Sequence, residues 1–106
     1  MKYIDSWGDF IDLKFVKAKY YYGDVAIIAV DADTGEEWAT VTVNLPYPLD
    51  DGCVFMDTNN CKAIVDAMVN EGYIELTGLE MPSGFCMYPE ARLNEEWFAG
   101  LQSYEF

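Results

Sequence analysis

No histidine occurs in this sequence, and that absence removes a large part of enzymology. Without an imidazole there is no Ser-His or Cys-His nucleophile arrangement and no histidine general base. Cysteine is scarce as well. Cys53, Cys61 and Cys86 form an odd set with no CxxC pair. Such a set reads as free thiols in a reducing compartment rather than as a disulfide framework or a zinc site. Long apolar runs are missing too, and none approaches the ~20 residues that a bilayer crossing requires. The opening "MKYIDSWGDF" has acids where a signal peptide carries its apolar stretch, so a cytoplasmic protein is expected.

Positive charge is the next shortage. Six Lys and Arg stand against nineteen Asp and Glu, a formal net charge of −13. The imbalance is uneven: residues 1–20 carry +1, and the 86 residues after them carry −14. A chain of this kind has no basic footprint for phosphates, which opposes direct nucleic-acid binding and anionic membranes. A charged partner is expected to be a basic protein. Duplex DNA carries one charge per ~1.7 Å of axis, so thirteen charges correspond to about 22 Å of duplex. A DNA-mimicking array would fit on this chain if most carboxylates shared one side.

What the chain does have is core material. With 52% apolar and 16% aromatic residues in 106, it predicts one folded domain over 1–106. In "GDFIDLKFVKAKYYYG", Ile11, Leu13 and Phe15 alternate, and Val16, Ala18 and Tyr20 then continue in the opposite phase. That shift predicts an edge strand with a bulge or a break near Phe15, its lysines turned to solvent. "DVAIIAVDA" is apolar in both phases and predicts a central strand. Across the turn "DTGE", the run "ATVTVNL" alternates cleanly and completes a hairpin. Cys61, Ile64, Val65, Met68 and Val69 follow helical spacing over about 61–71, with Asn59 or Asn60 as N-cap and Gly72 as terminator. Short strands are expected at Val54–Met56, at Tyr73–Leu76 and in "FCMYPEARL". Asn94 then caps a final turn or two that Trp97, Phe98 and Leu101 dock. The sum is α+β: a mostly antiparallel sheet of four to five strands, one main helix on one face and a short C-terminal helix.

Few segments suggest chemistry. "DADTGEEW" offers oxygens for calcium, but Gly35 arrives one residue early for an EF-hand loop and Thr42 occupies the position of its final Glu. A hairpin turn accounts for Asp33, Thr34 and Gly35. The glycines of "LTGLE" and "PSGF" suit turns better than phosphate contacts, since no lysine follows them. No two acids stand out as a catalytic pair, so no enzyme, cofactor or metal is expected. At mid-chain, "NLPYPLDDG" is stiff and acidic. Pro46 and Pro48 should end the strand at Leu45. The segment is then either a rigid crossover or a preordered loop presenting Tyr47, Asp50 and Asp51.

The stretch "ATVTVNLPYPLDDGCVFMDTNN", followed by "ELTGLEMPSGFCMYPEARL", resembles an uncharacterised family of small proteins. Its members are carried by conjugative elements and phages of gut-associated bacteria. The resemblance covers about residues 23–93 and has no catalytic residues to carry over. It implies a mobile-element setting, in which small acidic proteins occlude nucleic-acid-binding grooves of host-defence proteins. Charge and resemblance together predict a non-enzymatic binding protein of anti-restriction or anti-CRISPR type. Its expected contact residues are Asp31, Asp33, Glu36, Glu37, Tyr47, Asp50 and Asp51. The alternative is an accessory domain that self-associates through Tyr20–Tyr22, Trp38 and Trp97. Monomer and homodimer both remain open at this point.

Overall fold

A computed structural model describes residues 2–4, 8, 10–19 and 25–104 of the chain. In chain order the elements are β1 (Lys2–Ile4), β2 (Phe10–Lys19), β3 (Val25–Asp31), β4 (Glu37–Thr40), β5 (Thr42–Val43) and β6 (Cys53–Met56). They are followed by α1 (Thr58–Asn70), β7 (Ile74–Ser83), β8 (Cys86–Leu93), α2 (Glu95–Ala99) and β9 (Gln102–Ser103). The class is α+β, as the sequence predicts. The strands divide between two sheets. One is ordered β1-β2-β3-β4, with β9 parallel to β2, and the other is the antiparallel set β5-β6-β8-β7.

A single extended stretch serves both sheets. β4 pairs with β3, and β5, starting after one intervening residue, pairs with β6. The intervening residue is Val41. Its N–H donates to the Ile27 carbonyl at 2.9 Å, and its carbonyl accepts from the Asp57 N–H at 2.8 Å. The Thr42 hydroxyl oxygen accepts from the Ile27 N–H at 3.2 Å. The strand predicted over "ATVTVNL" therefore turns a corner between sheets, a known way for stacked strands to change partners. Its period of two gives no sign of the corner.

The phase shift in β2 turns out to be no bulge. β2 pairs with β3 without interruption from Leu13↔Asp31 to Lys19↔Val25. Both of its faces are covered instead: Leu13 and Phe15 enter the main core, while Val16 and Ala18 join Ala26, Ile28, Val30 and Tyr104 on the other side. β2 is also interior rather than an edge, since it pairs with β1 and β9 as well as β3. The expectation for β3 holds, with Ala26 to Val30 all buried in the middle of the sheet.

The main core joins both sheets and α1. Cys61, Ile64, Val65 and Met68 of α1 pack with Leu13, Phe15, Ile27 and Ala29 of the first sheet and with Val54, Met56, Ala91 and Leu93 of the second. The helix starts earlier than its apolar spacing indicates. Asp57, not Asn59 or Asn60, is the N-cap, and its Oδ1 accepts from the Asn60 N–H at 3.1 Å. Cys61 breaks the helical geometry after that first turn (φ −126°), which is why periodicity begins only there. At the other end Tyr73 N–H bonds the Met68 carbonyl and Gly72 N–H the Val69 carbonyl, the paired closure of a Schellman motif. Gly72 takes the left-handed φ of +79° that this closure needs.

The C-terminal turn docks as expected. Asn94 Oδ1 caps α2 by accepting from the Trp97 N–H at 3.0 Å. Trp97 then stacks on Tyr73 with ring centroids 4.9 Å apart and 7° between planes. Phe15 meets both rings edge-on at 5.8 and 6.0 Å. Lys17, predicted to face solvent, donates to the Phe98 carbonyl at 3.2 Å and lies 4.8 Å from the Phe98 ring centroid.

The corner yields a test. Thr42→Val keeps side-chain volume but leaves the Ile27 N–H without its acceptor, which costs about 1–3 kcal/mol. Urea unfolding should show that loss, and Thr42→Ser should recover most of it.

Candidate interaction surface

The acidic residues expected to bind a partner fall into two separate groups. Asp31, Asp33, Glu36 and Glu37 belong to the β3–β4 turn of the first sheet, whereas Asp50 and Asp51 precede β6 in the second. The continuous β4–β5 run separates the groups. Within the first group Asp31 is committed to the turn: its Oδ1 accepts from the Asp33 N–H at 2.8 Å and the Thr34 N–H at 3.2 Å. Asp33, Glu36 and Glu37 remain exposed, as do Asp50 and Asp51. Among the described residues no group of three or more His, Cys, Asp or Glu is placed to hold a metal ion.

The mid-chain proline segment proves to be a strap. Side chains at Cys53, Phe55, Glu90 and Arg92 share one face of the second sheet, because Cys53↔Arg92 and Phe55↔Glu90 are directly opposed pairs. That face points away from the core residues Val54, Ala91 and Leu93. Tyr47 lies edge-on to Phe55, with centroids 6.3 Å apart, and its hydroxyl donates to the Pro82 carbonyl at 2.9 Å. Leu45, Cys53, Phe55 and Glu90 are all buried beneath or beside the strap. Tyr47 is thus partly spent on the fold, and the rigid-crossover reading of "NLPYPLDDG" describes its structural role. The Tyr47–Pro48 peptide is trans.

Tyr47 is anchored to a feature that the sequence reading misses. β6 pairs with β8 only through Cys53↔Arg92, Val54↔Ala91 and Phe55↔Glu90, so residues 86–89 pair with β7 alone. β7 and β8 therefore run on as a two-stranded ribbon closed by Gly84 and Phe85 between the paired Ser83 and Cys86. Gly84 has φ +62° and Phe85 does not have positive φ, the order of a type II′ turn. Counting back from that closing pair, Pro82↔Met87 and Glu80↔Pro89 are non-hydrogen-bonded positions, where a missing N–H costs the ladder nothing. This is how a strand passes through Pro82, where turn-forming residues predict a loop. Thr77–Leu79 bulge between Leu76↔Ala91 and Glu80↔Pro89. The buried Glu90 fills the bulge by accepting from the Thr77 hydroxyl at 2.8 Å.

The ribbon and its bulge carry half of the large apolar side chains that the described residues expose. Phe85 at the tip is fully exposed (110%), and Met87 and Leu79 are 49% and 47% exposed, while Leu76, opposite Ala91 in the body of the sheet, is 43% exposed. Trp38 and Phe10 are exposed elsewhere. Of the residues suggested for self-association, Trp97 is taken up by its stack on Tyr73, and Tyr20–Tyr22 lie outside the described residues. The signal that could have found the ribbon is the Gly-Phe pair in "EMPSGFCMY", flanked by strand-forming residues on both sides.

The thiols are free. Burial pushes both Cys53 and Cys61 above the ordinary thiol value, opposed at Cys53 by the Arg92 charge and reinforced at Cys61 by Asp57. Cys86 is half-buried near the ribbon tip. Tyr88, two residues along the same face, is held above the usual phenol range by burial and then by Cys86.

This is an α+β domain whose exposed features include acidic turns and an apolar-tipped ribbon. The chain belongs to the family described as Domain of unknown function (DUF4313), whose pattern matches residues 13–105. No match to the chain is found among curated proteins or among solved structures. No helix among the described residues is long and apolar enough to cross a membrane.

Tyr47→Phe should cost about 0.5–1.5 kcal/mol in urea unfolding by losing one hydrogen bond, and Tyr47→Ala more, because it also uncovers Phe55. Raised thiol values favour the protonated form in the folded state. Stability from Cys53 and Cys61 is therefore full below the unfolded thiol value of about 8.5 and is lost as pH rises through the folded values. A thiol reagent at pH 8 should modify Cys86 in the native protein and reach Cys53 and Cys61 only on unfolding.

Proposed function

We propose that the protein is a non-enzymatic binding protein that engages a basic surface on another protein. The observation that carries this reading is the excess of exposed acids. Asp33, Glu36, Glu37, Asp50, Asp51, Glu75, Glu80, Glu95 and Glu96 are all exposed, against Lys14, Lys17 and Lys19 on β2, Arg92 on β8 and Lys62 on α1, which is paired with Asp66. A surface of this kind steers a cationic partner and raises the association rate, with strong dependence on salt. In its sharper form the reading makes the protein the product of a mobile genetic element. There it occludes the nucleic-acid-binding groove of a host-defence protein, as an anti-restriction or anti-CRISPR factor acting partly as a DNA mimic. The net charge of −13 and the resemblance to small proteins of conjugative elements and phages support that form. The residues assigned to contact remain Asp33, Glu36, Glu37, Asp50 and Asp51, with Asp31 and Tyr47 positioning their loops.

The test uses immobilised protein and host extract. Retained proteins should elute as salt rises from 0.1 to 0.5 M, over which screening shortens from about 10 Å, and duplex DNA should compete with them. A variant with Asp33→Asn, Glu36→Gln, Glu37→Gln, Asp50→Asn and Asp51→Asn should lose retention. Retention that ignores salt, DNA and these five changes would contradict the proposal.

A further inference from the structure

The β7–β8 ribbon presents a feature that charge does not explain. A type II′ turn needs glycine at its first central position and accepts small polar residues at the second. This chain places a phenylalanine there, fully exposed at the end of a ribbon whose outer part also exposes Met87 and Leu79. An aromatic ring buries on the order of 150–250 Å² when covered. Leaving it in water serves neither the hairpin nor solubility.

The ribbon is also held in place. The Tyr47 hydroxyl ties Pro82 from outside, and the Thr77–Glu90 hydrogen bond fixes the bulge. A braced ribbon loses little conformational freedom on docking, so its exposed side chains can act as preorganised anchors. The same features oppose strand addition along β7. Pro82 has no N–H, its carbonyl is already bonded to Tyr47, and the Thr77–Leu79 bulge interrupts the edge. With that edge closed to strand addition, what the ribbon offers is its side chains at the tip.

We infer that Phe85 and Met87 form the apolar anchor of a protein–protein interface, inserting into an apolar pocket rimmed by Lys and Arg on the partner. The cationic rim follows from Glu80, exposed on β7 opposite Pro89 and on the same face as Met87, and from the net charge of −13 behind it. That charge also argues against a second copy of this chain and against an anionic lipid surface as the occupant. The inference rests on the reading of a basic partner and adds the point at which that partner is gripped.

The experiment replaces Phe85 by the photocrosslinker p-benzoylphenylalanine in the full chain, with Trp38, another exposed aromatic, as the control position. Irradiation in host cells should give a discrete adduct at 85 and not at 38, and the joined partner peptide should be apolar with Lys or Arg beside it. Against that purified partner, Phe85→Ala should weaken binding by about 30-fold, the scale of an interface hot spot. Its urea midpoint should stay unchanged, because Phe85 makes no core contact. Crosslinking at 85 to another copy or to lipid, no adduct, or less than 3-fold loss in Phe85→Ala would overturn the inference. Salt-sensitive binding that survives Phe85→Ala overturns the anchor and leaves the basic-partner reading standing. Binding that is lost in Phe85→Ala but indifferent to salt keeps the anchor and removes the cationic rim.

Discussion

The corner at Val41 is the constraint on which the rest of the structure depends. Val41 is completely buried, and its amide and carbonyl are given to Ile27 and Asp57 rather than to either strand ladder. A buried peptide group left unpaired would cost about as much as a lost hydrogen bond with full desolvation. The chain can change sheets here only because β3 and the start of α1 supply both partners. Once the corner is made, the first sheet, the second sheet and α1 face one another across a common core. The position of the ribbon is a consequence, since β8 is placed by β6, and β6 by β5.

From that frame outward, the structure shifts from apolar packing to surface function. The strap over Phe55 closes the second face of the second sheet and reaches the ribbon through a single hydroxyl. Pro46 and Pro48 restrict the strap before folding, which lowers the entropy lost when it closes. Beyond it, β7 and β8 continue without a third strand and expose what the body of the domain would bury. The acidic residues of the β3–β4 turn and of the segment before β6 are exposed as well. In the function proposed above, attraction of a cationic partner and an apolar grip on it fall to different parts of one small fold.

Much of this was legible in the sequence, in proportion to how local its causes are. The β3–β4 hairpin, the buried central strand, the Asn94 cap and the docking aromatics follow from nearest-neighbour chemistry, and the structure bears them out. The division into two sheets was hidden, because a strand that changes partners keeps its alternation. β2 misled for a related reason: apolar residues in two phases mean two covered faces as readily as a bulge. The helix start was misplaced because Asp57 caps a turn whose side chains carry no apolar period. The ribbon escaped notice because Gly78, Pro82 and Gly84 look like loop residues. A bulge and the non-hydrogen-bonded positions absorb the first two, and only Gly84 forms the turn. The acidic candidates were identified by residue type, yet their separation into two loops depends on a topology that charge does not encode.

Both sheets and α1 form one cooperative unit joined at Val41. Native-state amide hydrogen exchange tests it most directly, because it reads the opening free energy of each segment separately. The amides of Ile27, Val41, Phe55 and Ala91 should exchange with a common free energy equal to that of global unfolding. Exchange of Phe55 and Ala91 at a free energy well below that of Ile27 would show that the second sheet opens by itself, and would contradict the account.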